Sequence, residues 1–146
     1  TEVLTLFPKV QWTVFSKEIK QKTTKGLLNF CPINEDHFLS KLAQCDGVIT
    51  NAGFTTTSEA LFLGKPLIAI PMRGQIEQSY NAFALKKMGA TIIKKLSVDK
   101  TTKITDWLDN PKVIKVNFEN DLNYLVDQIA LDYIKNKYGA KMIYDL

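Results

Sequence analysis

One stretch of this chain, Cys45 to Ala82, limits the possible folds more than any other: CDGVITNAGFTTTSEALFLGKPLIAIPMRGQIEQSYNA. An apolar run, Gly47–Thr50, meets the small-residue turn Asn51-Ala52-Gly53. A helical pattern follows over Thr55–Leu63, with Ala60, Leu61 and Leu63 as its apolar positions, and Gly64 stops it. A second apolar run, Leu67–Ile70, leads through a polar loop into another helix, Gln75–Met88, closed by Gly89. The order is strand, tight turn, helix, strand, loop, helix. In such a unit the turn after the first strand opens onto a helix N-terminus. Unpaired backbone N–H groups and the positive end of the macrodipole there favour an anion. The stretch therefore reads as the phosphate-gripping part of a nucleotide-binding domain.

The remaining segments extend the same alternation. Glu2–Phe7 reads as a helix end stopped by Pro8, Val10–Phe15 as a strand, and the Lys-rich Ser16–Gly26 as a surface loop. Leu27–Cys31 is a second strand ended by Pro32. Asn34 is placed to cap a helix running to Gln44, with Glu35 and Asp36 in its first turn and Phe38, Leu39, Leu42 and Ala43 as its apolar stripe. After the central unit come a strand at Ala90–Lys94, a helix at Asp99–Leu108 and a long helix at Glu119–Tyr138. Ala140–Leu146 is assigned to no element. Five short strands alternating with helices predict an α/β fold: one domain over residues 1–146, with a Rossmann-like, doubly wound parallel sheet and helices on both faces. In such sheets the ligand crevice lies at the carboxyl ends of the strands. That places Pro32–Asn34, Asn51–Thr55 and Met72–Gln78 at one edge.

Composition narrows the functions. With 146 residues and 45% hydrophobic content, the chain is an ordinary globular domain in size and balance. No apolar stretch approaches the roughly 20 residues that span a bilayer, so membrane contact is not visible. The start carries no signal-peptide pattern and no initiator Met, which suggests a fragment or a processed product. Among 19 basic residues only Arg73 is arginine, and the lysines are scattered, which argues against a nucleic-acid partner. Two cysteines, Cys31 and Cys45, are too few for a metal site and fit a reducing, cytoplasmic setting. His37 is the lone histidine, which counts against a Ser-His-Asp triad within the chain. Neither G-x-G-x-x-G nor G-x-x-x-x-G-K-[ST] occurs, which counts against an NAD domain and a P-loop NTPase.

Individual residues keep two readings each. Gly53 is either a point of close backbone approach to a phosphate or a plain tight turn. Thr55, Thr56, Thr57 and Ser58 crowd hydroxyls into one helical turn, which suits oxyanion contacts or capping. Thr56-x-x-Glu59 fits a capping box, while a carboxylate at Glu59 could equally accept from a ribose diol. Arg73-Gly74-Gln75-Ile76-Glu77-Gln78 is either a polar helix start or a set of side chains for sugar hydroxyls.

These residues together resemble the nucleotide-sugar signature of glycosyltransferases with two Rossmann-like domains, the GT-B architecture. The pattern T-H-x-G-x-x-[ST]-x-x-E-A-L-x-x-G-x-P is met by Thr50, Asn51, Gly53, Thr56, Glu59, Ala60, Leu61, Gly64 and Pro66. Pro71 and Glu77-Gln78-Ser79-Tyr80-Asn81-Ala82 continue it. The chain is similar to the donor-binding, C-terminal domain of the peptidoglycan-type GlcNAc transferases and of UDP-glycosyltransferases. The resemblance implies that Gly53, Phe54, Thr55 and Thr56 offer donors to the diphosphate of a nucleotide sugar. Asn51 stands beside them, where the family often has His. Glu59 would hold the ribose, Ile33 would read the uracil edge through its backbone with Phe30 nearby, and Glu77 and Gln78 would bind the transferred sugar. Arg73 and Gln75 would contact the phosphates or the sugar. Glu77 stands where the family often has Asp, which leaves the identity of the sugar open.

The implied function is transfer of a sugar from a nucleotide sugar, UDP-linked, to an acceptor hydroxyl, with no cofactor and no metal. No catalytic residue is assigned within the chain. In this architecture the general base sits on an N-terminal acceptor domain. That domain is expected to be absent here, with the donor domain truncated at its own N-terminal edge. The donor half is therefore expected to be inactive alone, completed by the missing domain or by a partner subunit. Two other readings stay open: a nucleotide-sugar epimerase or hydrolase of the same architecture, and a non-catalytic interaction module.

Overall fold

A computed structural model describes residues 2–117, together with Asp127, Ala130 and Leu131. A 3-10 turn at Glu2–Leu6 precedes β1 (Trp12–Ser16), β2 (Thr23–Lys25), β3 (Leu28–Pro32) and α1 (Glu35–Gln44). Then come β4 (Val48–Asn51), α2 (Phe54–Phe62), β5 (Leu67–Ile70), α3 (Ile76–Met88) and β6 (Thr91–Ile92). A 3-10 turn at Val98–Lys100 leads into α4 (Thr101–Asp109). The α/β alternation is the one expected, within a residue or two at most ends.

The strands hydrogen-bond in two three-stranded sheets, ordered β1-β3-β2 and β4-β5-β6. The second is all parallel, with Val48 opposite Leu67 and Ile68 opposite Thr91. Its central strand, Leu-Ile-Ala-Ile, is nearly continuous apolar sequence, which a strand covered on both faces requires. On one face α1, α2 and α3 supply Leu42, Ala60, Leu61, Ala82 and Leu85 against Leu67 and Ala69. On the other, Val3, Ile104 and Trp107 pack with Ile68 and Ile93. Full burial of side chains such as Leu67 and Ile68 stabilises the fold by about 1.5–3 kcal/mol each. Helices thus cover both faces, as a Rossmann-like sheet demands. Gly47, at the entry to β4, is fixed by this packing: a Cβ there would lie 2.6 Å from Cη2 of Trp107.

The first sheet departs from expectation in one place. The segment expected to be a loop, Ser16–Gly26, contains β2, antiparallel to β3. Two β-branched threonines favour extended backbone. Gly26, at φ 58°, makes the turn, and the Thr24 hydroxyl donates to Asn29 Oδ1 at 2.9 Å across the pair. A charged Lys run hid this short edge strand, which is exposed throughout. α1 joins the two sheets: Phe38 packs on the second, and its ring meets Phe15 of β1 edge-on at 5.2 Å. The carboxyl end of α1 is held by Lys65, whose Nζ donates to the carbonyls of Ala43 and Cys45, each at 2.8 Å. A cation there also complements the negative end of the helix dipole.

By its contacts the chain divides into Thr1–Val116, which holds every element above, and Asn117–Leu146. The helix expected over Glu119–Tyr138 falls in the second unit and lies outside the described residues except for Asp127, Ala130 and Leu131, which are helical.

Candidate functional site

The turn between β4 and α2 is set by one side chain and two small residues. Asn51 Oδ1 accepts from the Gly53 amide at 3.0 Å, the local bond that makes Asn a turn former. Ala52 is fully buried beneath the turn, and Gly53 is the residue preceding the helix, in extended backbone at φ −70°. The amides of Phe54, Thr55 and Thr56 follow in the first helical turn. Such amides have no intrahelical acceptor, and these find no other partner among the described residues. No acidic residue stands in that turn.

The capping box written by Thr56 and Glu59 does not form. The helix starts at Phe54, so Thr56 and Glu59 already lie inside it. The threonine whose hydroxyl is spent on backbone is Thr57: buried, it donates to the carbonyls of Gly53 at 2.6 Å and Phe54 at 3.0 Å. Thr55 stays exposed, and Thr56 is half-buried. Glu59, one turn beyond Thr56 on the same side of the helix, is half-buried with no hydrogen bond or ion pair to its carboxylate among the described residues. It lines an apolar cavity of about 250 Å³ together with Leu39 and Ala43 of α1 and Phe62 and Leu63.

The loop from β5 to α3 is built differently. Gly74 turns it at φ 82°, and Arg73, Gln75 and Glu77 are exposed. Gln78 is only 7% exposed. Its Oε1 accepts from the Met72 amide at 3.0 Å, and its Nε2 donates to Gln75 Oε1 at 2.7 Å. Gln78 therefore shapes the loop from within, while Glu77 is presented on the outside. The loop also touches the first turn, where Asn51 Nδ2 lies 3.9 Å from Met72 Sδ. Ile33 follows β3 directly and is 55% exposed, with no hydrogen bond to its backbone among the described residues.

α1 provides a contrast. Its N-terminus is closed by Asn34, whose Oδ1 accepts from the His37 amide at 3.0 Å, and its first turn holds Glu35 and Asp36. A second cavity, about 210 Å³ and lined by Gln11, Thr13, Lys22, Asn29, Cys31, His37 and Lys41, includes none of the expected site residues. Asp99, whose carboxyl is held below the ordinary carboxylate range by hydrogen bonds from Lys100 and Ser97, belongs to the turn before α4 and not to this site.

A family model described as glycosyl transferase family 1 matches residues 1–111. The chain belongs to glycosyl transferase family 1. The matched span includes every candidate site residue from Ile33 to Gln78. A curated relative in Rickettsia akari (strain Hartford) is 30% identical over 120 residues. It is a UDP-N-acetylglucosamine–N-acetylmuramyl-(pentapeptide) pyrophosphoryl-undecaprenol N-acetylglucosamine transferase. The alignment covers 76% of this chain and 31% of the relative, so the chain spans about a third of that enzyme's length. No solved structure matches the chain. Among the described residues no helix is long and apolar enough to cross a membrane.

One residue that belongs to the site's architecture escaped individual assignment. Asn81 was visible only as part of a motif, yet its Nδ2 donates to the Ala52 carbonyl at 3.0 Å, joining α3 to the turn before α2 across 29 positions. Its spacing from Gln78, three residues on one helix, is the signal that could have singled it out.

Proposed function

We propose that this chain is the donor-binding half of a GT-B glycosyltransferase that holds a UDP-linked sugar. The observation that carries the reading is the uncapped, acid-free start of α2, with a carboxylate at Glu59 one turn further on and an exposed Glu77 on the neighbouring loop. A diphosphate meets the free amides of Phe54, Thr55 and Thr56 and the positive dipole end. Glu59 accepts from the ribose hydroxyls, and the free backbone of Ile33 receives the uracil edge. Glu77 accepts from hydroxyls of the transferred sugar. As the bond from the anomeric carbon to the diphosphate breaks, negative charge grows on the leaving oxygens. The fixed amide dipoles then stabilise that charge more than the ground state, which lowers the barrier.

Activation of the acceptor hydroxyl is assigned to residues outside these 146, in a further part of the same enzyme or in a partner subunit, so the half is inactive alone. The name and length of the curated relative support a longer whole enzyme and a UDP-sugar donor. Calorimetric titration of the chain with UDP, UDP-GlcNAc, GDP and TDP tests the reading, with Glu59→Ala as the control. UDP and UDP-GlcNAc should bind, GDP and TDP more weakly, and Glu59→Ala should lower affinity for both uridine nucleotides. No binding of any of the four at millimolar concentration refutes it.

A further inference from the structure

We infer that Asn81 is a positioning residue that fixes the phosphate-gripping turn through the Ala52 carbonyl and thereby holds the phosphate and sugar parts of the donor site at one spacing. The inference rests on the proposed donor site and deepens it. Ala52 lies between Asn51, which bonds the Gly53 amide, and Gly53 itself, the residue before α2. It is fully buried, so its carbonyl needs an internal partner, and the Asn81 amide provides it at 3.0 Å. The orientation of the peptide units at this carbonyl sets the direction in which the following amides leave the turn. On the same helix, one turn earlier, Gln78 takes the Met72 amide and holds Gln75. α3 therefore grips both loops with two half- or fully buried carboxamides three positions apart. The 3.9 Å contact of Asn51 with Met72 closes the circuit on the other side. Neither carboxamide has to touch the donor for both loops to depend on it.

The test uses the full chain with Asn81→Leu, which keeps the size but loses the donor without adding charge, and Asn81→Ala. UDP and uridine are titrated with observation of backbone amides by 1H–15N NMR, so that millimolar affinities are measurable. Loss of one neutral hydrogen bond that orients the phosphate turn should weaken UDP about three- to tenfold. Uridine, which has no phosphate, should bind as it does to the unaltered chain. Without ligand, the amide signals of Gly53 and Phe54 should shift in both variants while those of α4 stay in place. Variants that bind UDP as tightly as the unaltered chain, or lose UDP and uridine equally, overturn the inference alone. An unaltered chain that binds neither ligand overturns the donor site itself and the inference with it. Unmoved Gly53 and Phe54 signals overturn the positioning claim whatever the affinities.

Discussion

Helices α2 and α3 start in the same way but differ in the charge of their first turns. Each follows a parallel strand of one sheet, and β4 and β5 are neighbours in register, so the two starts lie at the same edge. Neither start has a side-chain cap. Yet the first turn of α2 contains three threonines and no acid, whereas that of α3 contains Glu77. A carboxylate near a helix N-terminus satisfies the dipole internally, while its absence leaves the site hungry for an anion. α2 is thus suited to a phosphate, and α3 to a neutral polyhydroxylated ligand that a carboxylate can hold by accepting hydrogen bonds. α1 reinforces the point, because an Asn cap takes the His37 amide and two acids stand in its first turn. On the proposed reading, two chemically different grips arise from one fold element by the placement of a few side chains.

The largest effect that could break this contrast concerns Glu59. If it accepts from the ribose, Glu59→Ala should cost about 1.5–3 kcal/mol of UDP binding, the worth of a hydrogen bond to a charged group. Calorimetry showing unchanged affinity would remove it from the site. Next in size is Gln78. Because it is buried and bonds the Met72 amide, Gln78→Ala should lower unfolding stability by about 1–3 kcal/mol through the unsatisfied donor left behind. Chemical denaturation reads this directly, and a stability loss near zero would mean the loop holds itself. Asn51→Ala should cost about 1 kcal/mol of stability by freeing the Gly53 amide from its side-chain acceptor. Thermal unfolding checks it. The smallest effect belongs to Glu77→Ala, because water competes for and screens this exposed carboxylate: about 0.5–1 kcal/mol of affinity for a UDP-sugar, with UDP unchanged. Equal losses for both ligands would move Glu77 from the sugar to the phosphates and erase the contrast between the two helices.

Much of this was legible in the sequence because it depends on local chemistry. β4, α2, β5 and α3 are written by apolar runs, by Gly64 and by Gly89, which ends α3 in the left-handed conformation at φ 104°. Asn34 caps α1 as its residue type and neighbours implied. What sequence could not give were the long-range partners. The Thr56-x-x-Glu59 spacing suggested a capping box, but the start of α2 is fixed one residue earlier than expected by the Asn51 turn and the burial of Ala52. Gln78 and Glu77 are adjacent polar residues of similar length. Only the approach of the Met72 amide to one of them distinguishes the internal from the external side chain. The edge strand at Thr23–Lys25 depends on its pairing with β3, which no feature of the Lys-rich segment encodes.

In the proposed donor site the diphosphate of a uridine nucleotide rests on the start of α2. Backbone amide NMR of the chain titrated with UDP tests it most directly. The signals of Gly53, Phe54, Thr55 and Thr56 should move most, with Ile33 following, and those of Lys22 and Lys41 at the other cavity should stay in place. Movement centred on that other cavity, with the start of α2 unaffected, would contradict it.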